Sequence, residues 1–366
     1  MKYHFLLPLI ALAMLTDSLY LQAKKNPTDE VLHRKDSLFF LSPEAKQIGD
    51  LLLLYQRDTG GWPKNVDMIT PLSTEQQDSV IQQKSRRNDS TIDNNATTMQ
   101  MTFLARLYQQ TKDNRYREAF RKAINFLLNG QYDNGGWPQF WPENRDYQTD
   151  ITFNDNAIVN VLRILRDVMK DKEPYNNGLT DTPMQEAAER AFKKGIQCIL
   201  ATQIRIEEEP TVWCQQHDRT TLQPSKARAY ELPSFCTQES AAIVFLLMQI
   251  PNPDASIIRS VNGAMKWFDE HKITGYRVEK FKVEGKSDIR LVEDSYAMPL
   301  WARYYDLAEG KPTFSDRDGK PKRSIMDIGR ERRKGYDWYN DKPLELYDRY
   351  EKWATKNNIA NKLTFK

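Results

Sequence analysis

The sequence predicts an all-α fold: an (α/α) toroid of repeated helical hairpins, with long loops forming a cleft at one end. Three observations predict it. Residues 56–63, QRDTGGWP, recur at 131–138 as QYDNGGWP, keeping the Gln, the Asp, both Gly, the Trp and the Pro. Residues 91–96, TIDNNA, recur at 152–157 as TFNDNA. Amphipathic helical spacing flanks each copy, and no stretch shows strand alternation sustained over several units.

The first unit opens with Ile48, Leu51, Leu52 and Tyr55 at helical spacing, and after TIDNNA a second stripe follows on Met99, Phe103, Leu107 and Tyr108. The second unit repeats this, with Phe120, Ile124, Leu127 and Leu128 before its turn and Ile158, Leu162, Leu165 and Met169 after it. The paired Gly are expected to end each first helix, and the Pro to prevent its continuation. A weaker third unit starts near Thr182, where Thr182-Pro183-Met184-Gln185 predicts a capping box and a helix to about Gln203. Trp213 and Cys214 then stand near the place of the turn, and Glu239-Ser240-Ala241 where the next helix opens. A fourth unit is expected over Ser256–His271 and then Asp294–Asp306. Residues 70–92 and 204–236 read as long polar connections, and the part beyond Pro312 as a loop-rich wrap with one last helix near Pro343–Thr355.

Composition narrows the function. Charge is nearly balanced, 53 Lys+Arg against 50 Asp+Glu, so there is no nucleic-acid footprint, and attraction for an acidic ligand must come from a local group of cations. Residues 1–23 read as a secretory signal, with Lys2, an apolar run from Phe5 to Leu15, and a cleavage site at Leu21-Gln22-Ala23. The mature part, 24–366, reads as one domain without a membrane span, expected to be monomeric and secreted or periplasmic. The spacings of Cys198, Cys214 and Cys236 match no zinc pattern, and buried thiols are expected.

Chemistry is sought among polar groups at the helix starts and in the loops. Asp93, Asn94 and Asp155 come from matching places in two units, so a toroid brings them to one end as an oxygen-rich cluster suited to calcium. The competing reading is that they are helix N-caps. Lys226 and Arg228, in KARAYELPS, could hold carboxylates, an Arg by its planar fork. Arg303 and Arg317 add cations downstream. Trp62, Trp137, Trp141 and Trp213 are candidates to line a carbohydrate groove or to pack the repeat interface. There is no GxSxG, Walker loop, HExxH or dinucleotide fingerprint.

Taken in order, GGWPKN (60–65), TIDNNATTMQ (91–100), GGWPQFWP (135–142), TFNDNAI (152–158), KARAYELPS (226–234), WARYYDL (301–307) and PTFSDRDG (312–319) resemble the pectate lyases of polysaccharide lyase family ten over residues 40–350. The resemblance implies a helical toroid that cleaves α-1,4-linked polygalacturonate by β-elimination with Ca2+. It places Asp93, Asn94 and Asp155 at the calcium, Arg228 at the position of the base, and Arg303 and Arg317 on substrate carboxylates. Lys226 and Trp137 join the expected substrate contacts, and Asn95 is assigned no role. The alternatives are an inverting glycoside hydrolase using Asp93 and Asp155, and a non-catalytic glycan-binding protein.

Overall fold

The recurring turn sequences fold into recurring structure. The computed structural model describes residues 27–360 and Leu363; the signal expected over 1–23 lies outside the described residues. Its α-helices are α1 Pro27–Leu32, α2 Pro43–Tyr55, α3 Thr74–Gln82, α4 Thr98–Thr111, α5 Asn114–Asn129, α6 Ala157–Met169, α7 Thr182–Thr202, α8 Thr237–Met248, α9 Ala255–Glu270, α10 Arg330–Lys334 and α11 Tyr347–Lys356. Outer helices α2, α5, α7 and α9 alternate in the chain with inner α4, α6 and α8 and with the 342–356 segment. Neighbours pack along each ring as well as across it, α4 on α6 and α6 on α8 inside, α5 on α7 and α7 on α9 outside. This is the toroid.

The four units share one anchor. Each turn tryptophan is buried and donates its indole N–H to the end of the preceding outer helix: Trp62 to Leu52 O (2.8 Å), Trp137 to Leu127 O (2.7 Å), Trp213 to Ile199 O (2.7 Å) and Trp301 to Phe268 O (2.8 Å). The recurring glutamine ties each outer helix to the next. Gln56 donates to Gly60 O and Ala119 O, Gln131 to Gly135 O and Ala191 O, and Gln203 to Thr211 O and Ser260 O. The indole bonds fall on carbonyls of the last helical turns, where intrahelical donors run out, and the glutamine bonds fasten each turn to the body of the next outer helix.

The glycine pairs do not end the helices, as the sequence suggested. α2 and α5 already stop at Tyr55 and Asn129. The glycines lie five or six residues on, where Gly60 and Gly135 take φ of 97° and 90°. A Cβ there would lie 2.4 Å from Lys122 O or 2.1 Å from Lys194 O, so only glycine lets the turn reach the next outer helix.

Other expectations are corrected. The cap of α7 is Asp181, with Thr182 and Pro183 inside the helix. The connection 70–92 holds α3, closed by a capping box on Ser73. Asp294–Asp306 is loop and short strand rather than helix, and the inner segment of the fourth unit is 342–356. Residues 276–293 form a hairpin of two eight-residue strands turning at Glu284-Gly285, both at positive φ, the twist such hairpins favour. The three cysteines are free and buried, as expected.

Candidate active site

The two repeated polar turns stand side by side at the start of α4 and α6. Each is a single 3₁₀ turn, Asp93–Asn95 and Asn154–Asn156. Asn94, Asn95, Asp155 and Asn156 all have φ between 49° and 61°, a region Asn and Asp enter more readily than other side chains. Neither Asp93 nor Asp155 caps a helix, since α4 and α6 follow Thr97 and Asn156 without a side-chain cap. The capping reading therefore fails, and the aspartates are free for another use.

Asn154 joins the turns. Its Nδ2 donates to Asp155 Oδ2 (2.9 Å) and Asp93 Oδ1 (3.3 Å). Asp93 is buried and paired with the Lys64 ammonium, which also lies 5.4 Å from the centre of the Phe140 ring. Asn94 turns aside to donate to Asn65 Oδ1 (3.1 Å), and Asn95 accepts from Asn160 (2.8 Å). Burial pushes the Asp155 carboxyl up to about 6; the negative charge of Glu239 adds to this and Arg303 opposes it.

The donor set fits a hard cation. The buried Oδ1 atoms of Asn154 and Asn156, on the turn that carries Asp155, have no hydrogen-bond donor among the described residues, and Asn154 links that turn to the Asp93 carboxylate. Carboxylate and amide oxygens are the ligands calcium takes. Among the described residues no three His, Cys, Asp or Glu converge, so the cluster is two acids supplemented by amides.

Beneath it lies Arg303, delivered between the short strands Trp301–Ala302 and Tyr304–Asp306. It is buried, donates to Glu239 Oε1 (2.6 Å) and stacks on Tyr336 (4.5 Å). Glu239 also accepts from Cys236 Sγ (2.6 Å), and Arg303 Nε has no partner. Burial works against the charge on Arg303, but Glu239 together with Tyr304, Tyr336 and Cys236 outweighs it and holds the guanidinium charged.

Loops outside the repeats supply the second wall. Residues 226–234 carry Arg228, whose Nε donates to Glu231 Oε2 (2.7 Å) and whose Nη2 donates to Glu231 Oε1. Its side chain remains 45% exposed, whereas that of Glu231 is 3% exposed. The Arg228 guanidinium lies 5.0 Å from the centre of the Tyr230 ring, and Arg332, from α10, lies 3.7 Å from the same ring. The positive charge of Arg228 acts on Asp155, so the two walls sense each other.

The expected substrate contacts divide. Lys226 lies near Gly319, and Arg317 is exposed on the rim, paired loosely with Glu331 at 3.3 Å. Trp137 is 1% exposed and packs as the anchor of its turn, so it cannot stack on a sugar; Trp62 and Trp213 are buried likewise. Sequence reasoning missed Glu231, Tyr336, Tyr304 and Gln215. Tyr336 donates to Glu231 Oε1 (2.9 Å), Tyr304 meets both Tyr336 and Gln215, and Gln215 O accepts from the N–H of Phe153 (2.8 Å) and of Asn154 (3.1 Å).

A family profile described as pectic acid lyase matches residues 56–347. The family 10 polysaccharide lyase from Cellvibrio cellulosa is similar to this chain, with 32% identity, 90% of this chain and 97% of that one covered, and a TM-score of 0.76. An aspartate-to-alanine mutant of a family 10 polysaccharide lyase from the same organism, solved with trigalacturonic acid, matches at 32% identity over 86% of this chain and 96% of that one, with a TM-score of 0.75. Among curated proteins none matches.

Proposed function

Since this chain belongs to the pectic acid lyase family, we propose that it cleaves α-1,4-linked polygalacturonate by calcium-dependent β-elimination, leaving a 4,5-unsaturated end. One observation carries the reading. Two carboxylates and two unpartnered amide oxygens lie on one wall, within the electrostatic reach of a half-exposed guanidinium on the other. The similar lyase solved with trigalacturonic acid supports the acidic substrate.

In this reading Asp93 and Asp155, with the free amide oxygens of Asn154 and Asn156, would hold calcium, and Asn94, expected beside them from the sequence, turns instead to Asn65. An ion held there would supply neutralisation of the uronate carboxylate and of the charge that grows as the C5 proton leaves. Arg303, expected on a substrate carboxylate, is instead buried in an ion pair with Glu239 and braces the floor of the cleft. Lys226 and Arg317 steer the chain along the rim. Arg228 takes the proton from C5, and the C4–O bond breaks.

An inverting hydrolase would need its two carboxyl groups ~6.5–9.5 Å apart, with a water between them. Asp93 Oδ1 and Asp155 Oδ2 both accept from the Asn154 amide nitrogen, at 3.3 and 2.9 Å, so an amide and not a water stands between them. A purely glycan-binding role leaves the buried charge network without a purpose. For location, the 1–23 stretch supports export, and no helix among the described residues is long and apolar enough to cross a membrane. We take the working form to be a monomer.

The test is ultraviolet absorbance of the conjugated product on polygalacturonate, with and without chelator. Absorbance should rise, stop with excess EDTA and return with calcium. Undiminished product in EDTA after dialysis contradicts the calcium role, and reducing ends without absorbance contradict elimination.

A further inference from the structure

An arginine base poses a problem of form as well as of acidity. Guanidinium has no lone pair to offer until it loses a proton, and that loss can occur at any of its three nitrogens. Only a neutral guanidine whose unprotonated nitrogen faces the substrate is useful. The surroundings of Arg228 are unequal around its plane. Nε and Nη2 are both held as donors by the Glu231 carboxylate, and Nη1 has no hydrogen-bond partner among the described residues. Glu231 is held in turn by the Arg228 backbone N–H (3.0 Å) and the Tyr336 hydroxyl (2.9 Å), and its own N–H closes a turn onto Arg228 O (2.9 Å).

We propose that Glu231 is a positioning residue that selects the reactive tautomer of Arg228: it requires the single N–H at Nε and turns an N–H of Nη2 onto its carboxylate, which favours Nη1 as the nitrogen that takes the C5 proton. This rests on the reading of Arg228 as the base. The steps balance: Nη1 first yields a proton to solvent, the vacated lone pair accepts the proton from C5, the C5–H electrons form the C4–C5 double bond, and the departing C4 oxygen keeps the electrons of the broken C4–O bond and takes a proton from water. The logic parallels that of a buried carboxylate fixing the tautomer of a catalytic histidine.

Selection has an electrostatic cost. Burial would push the Arg228 guanidinium down, but Glu231 outweighs it and raises its affinity for its proton. Burial would likewise raise Glu231, and Arg228 holds it below the usual carboxylate range instead. The other groups facing the guanidinium are Tyr230, Tyr336, Tyr147 and Asp155, with Arg332 on the Tyr230 ring and Arg303 on the Tyr336 ring. Two substitutions should therefore move the pH profile in opposite directions. Glu231→Gln removes the negative charge, so neutral guanidine forms at lower pH. Its amide N–H₂ then faces Nε or Nη2 and favours the unprotonated nitrogen there, turned from the substrate. Tyr336→Phe removes one donor from Glu231, concentrates the negative charge on Arg228, and moves the alkaline rise to higher pH.

The experiment is kcat against pH on polygalacturonate with saturating calcium for wild type, Glu231→Gln and Tyr336→Phe, alongside thermal unfolding of each. Glu231→Gln should lose about 100-fold or more in kcat while its alkaline rise shifts down. Tyr336→Phe should lose less and shift up. An unmoved rise in a folded Glu231→Gln enzyme, or a kcat within about threefold of wild type, overturns the assignment. If Glu231→Gln does not fold, Tyr336→Phe decides, and an unmoved rise there overturns it. Arg228→Lys, assayed in parallel, tests the premise separately: near wild-type kcat removes Arg228 as base whatever Glu231 does.

Discussion

The two walls of the cleft are built differently. The Asp93 and Asp155 wall is made of repeats, each copy of the turn hung from a buried tryptophan and pinned to the next outer helix by a glutamine. The Arg228 wall is made of unrepeated loops, and polar bonds hold it: guanidinium to Glu231, Glu231 to Tyr336, Tyr336 to Tyr304. In the first wall the site residues ride on the core, so damage to their supports is damage to the fold. In the second, contacts can be lost at the rim while the helices remain in place.

A steric test on the repeat wall should give the largest effect. Gly135→Ala places a methyl 2.1 Å from Lys194 O on a backbone at φ 90°. The turn must leave α7, and the expected loss is about 3 kcal/mol or more of unfolding free energy. Chemical denaturation measures it. A loss under about 1 kcal/mol would show that the turn reseats freely, and the contrast between the walls would fail.

A sharper comparison lies within the repeat wall. The approach to the first turn pairs at Thr91 with Phe140, whereas Ile151–Thr152, leading to the second, pairs with Gln216–His217. His217 is buried edge-on against Phe153, accepts the Cys214 N–H at Nε2 (3.1 Å) and bonds Leu222 O through Nδ1 (2.9 Å). Burial pushes its pKa down to about 4, with those two backbone bonds opposing. The unfolded chain therefore takes up the proton first as pH falls. Stability from the neutral ring is complete above ~6.5 and drains away toward 4, by about 3 kcal/mol in all. Urea unfolding of wild type and His217→Gln at pH 7 and pH 4 isolates the effect: the wild-type advantage should shrink by about that amount. An advantage independent of pH would mean that His217 is not the acid-sensitive brace.

The difference between the walls also explains what could be read in the sequence. A repeated geometry repeats its demands: a glycine where a side chain would strike backbone, a tryptophan to close a helix end, Asn and Asp where φ turns positive. Those residues stand out when two copies are laid together, and Asp93 and Asp155 came with them. The glycines were misread as helix stops because spacing does not reveal the five residues separating helix end from turn. The unrepeated wall has no second copy to align: KARAYELPS stands out only as a polar loop whose Lys226 and Arg228 could hold carboxylates, and it is the resemblance that puts Arg228 at the position of the base. Glu231 carries no sequence signal of its own, and its partner Tyr336 lies more than one hundred residues away. Trp137 shows the opposite error: an aromatic beside a loop suggested a sugar platform, but the same ring serves all four units as an internal anchor. The hairpin at 276–293 had a readable Glu284-Gly285 turn, but its strands alternate charge and apolar residues too weakly to stand out from a loop.

The smallest expected effect belongs to the rim. Arg317 is 69% exposed on its side chain and meets Glu331, equally exposed, at 3.3 Å. Such pairs contribute ~0–1 kcal/mol, because water screens the attraction and two long side chains lose freedom to form it. Arg317→Ala should leave the unfolding free energy within about 0.5 kcal/mol of wild type. If the residue greets a uronate carboxylate, its loss is felt in binding: KM for polygalacturonate should rise by about threefold to tenfold with kcat little changed, as when an interaction made equally in ground and transition states is removed. The KM increase should shrink at high salt, where a surface charge reaches less far, and should be smaller on highly methylated pectin, whose esters offer no charge to meet. Initial rates on both polymers at two salt concentrations separate the possibilities. A KM unchanged on polygalacturonate takes Arg317 off the substrate path. A fall in kcat instead places it nearer the reacting bond than its exposure implies, and the division between a core-borne catalytic wall and a loosely held rim would then have to be redrawn around it.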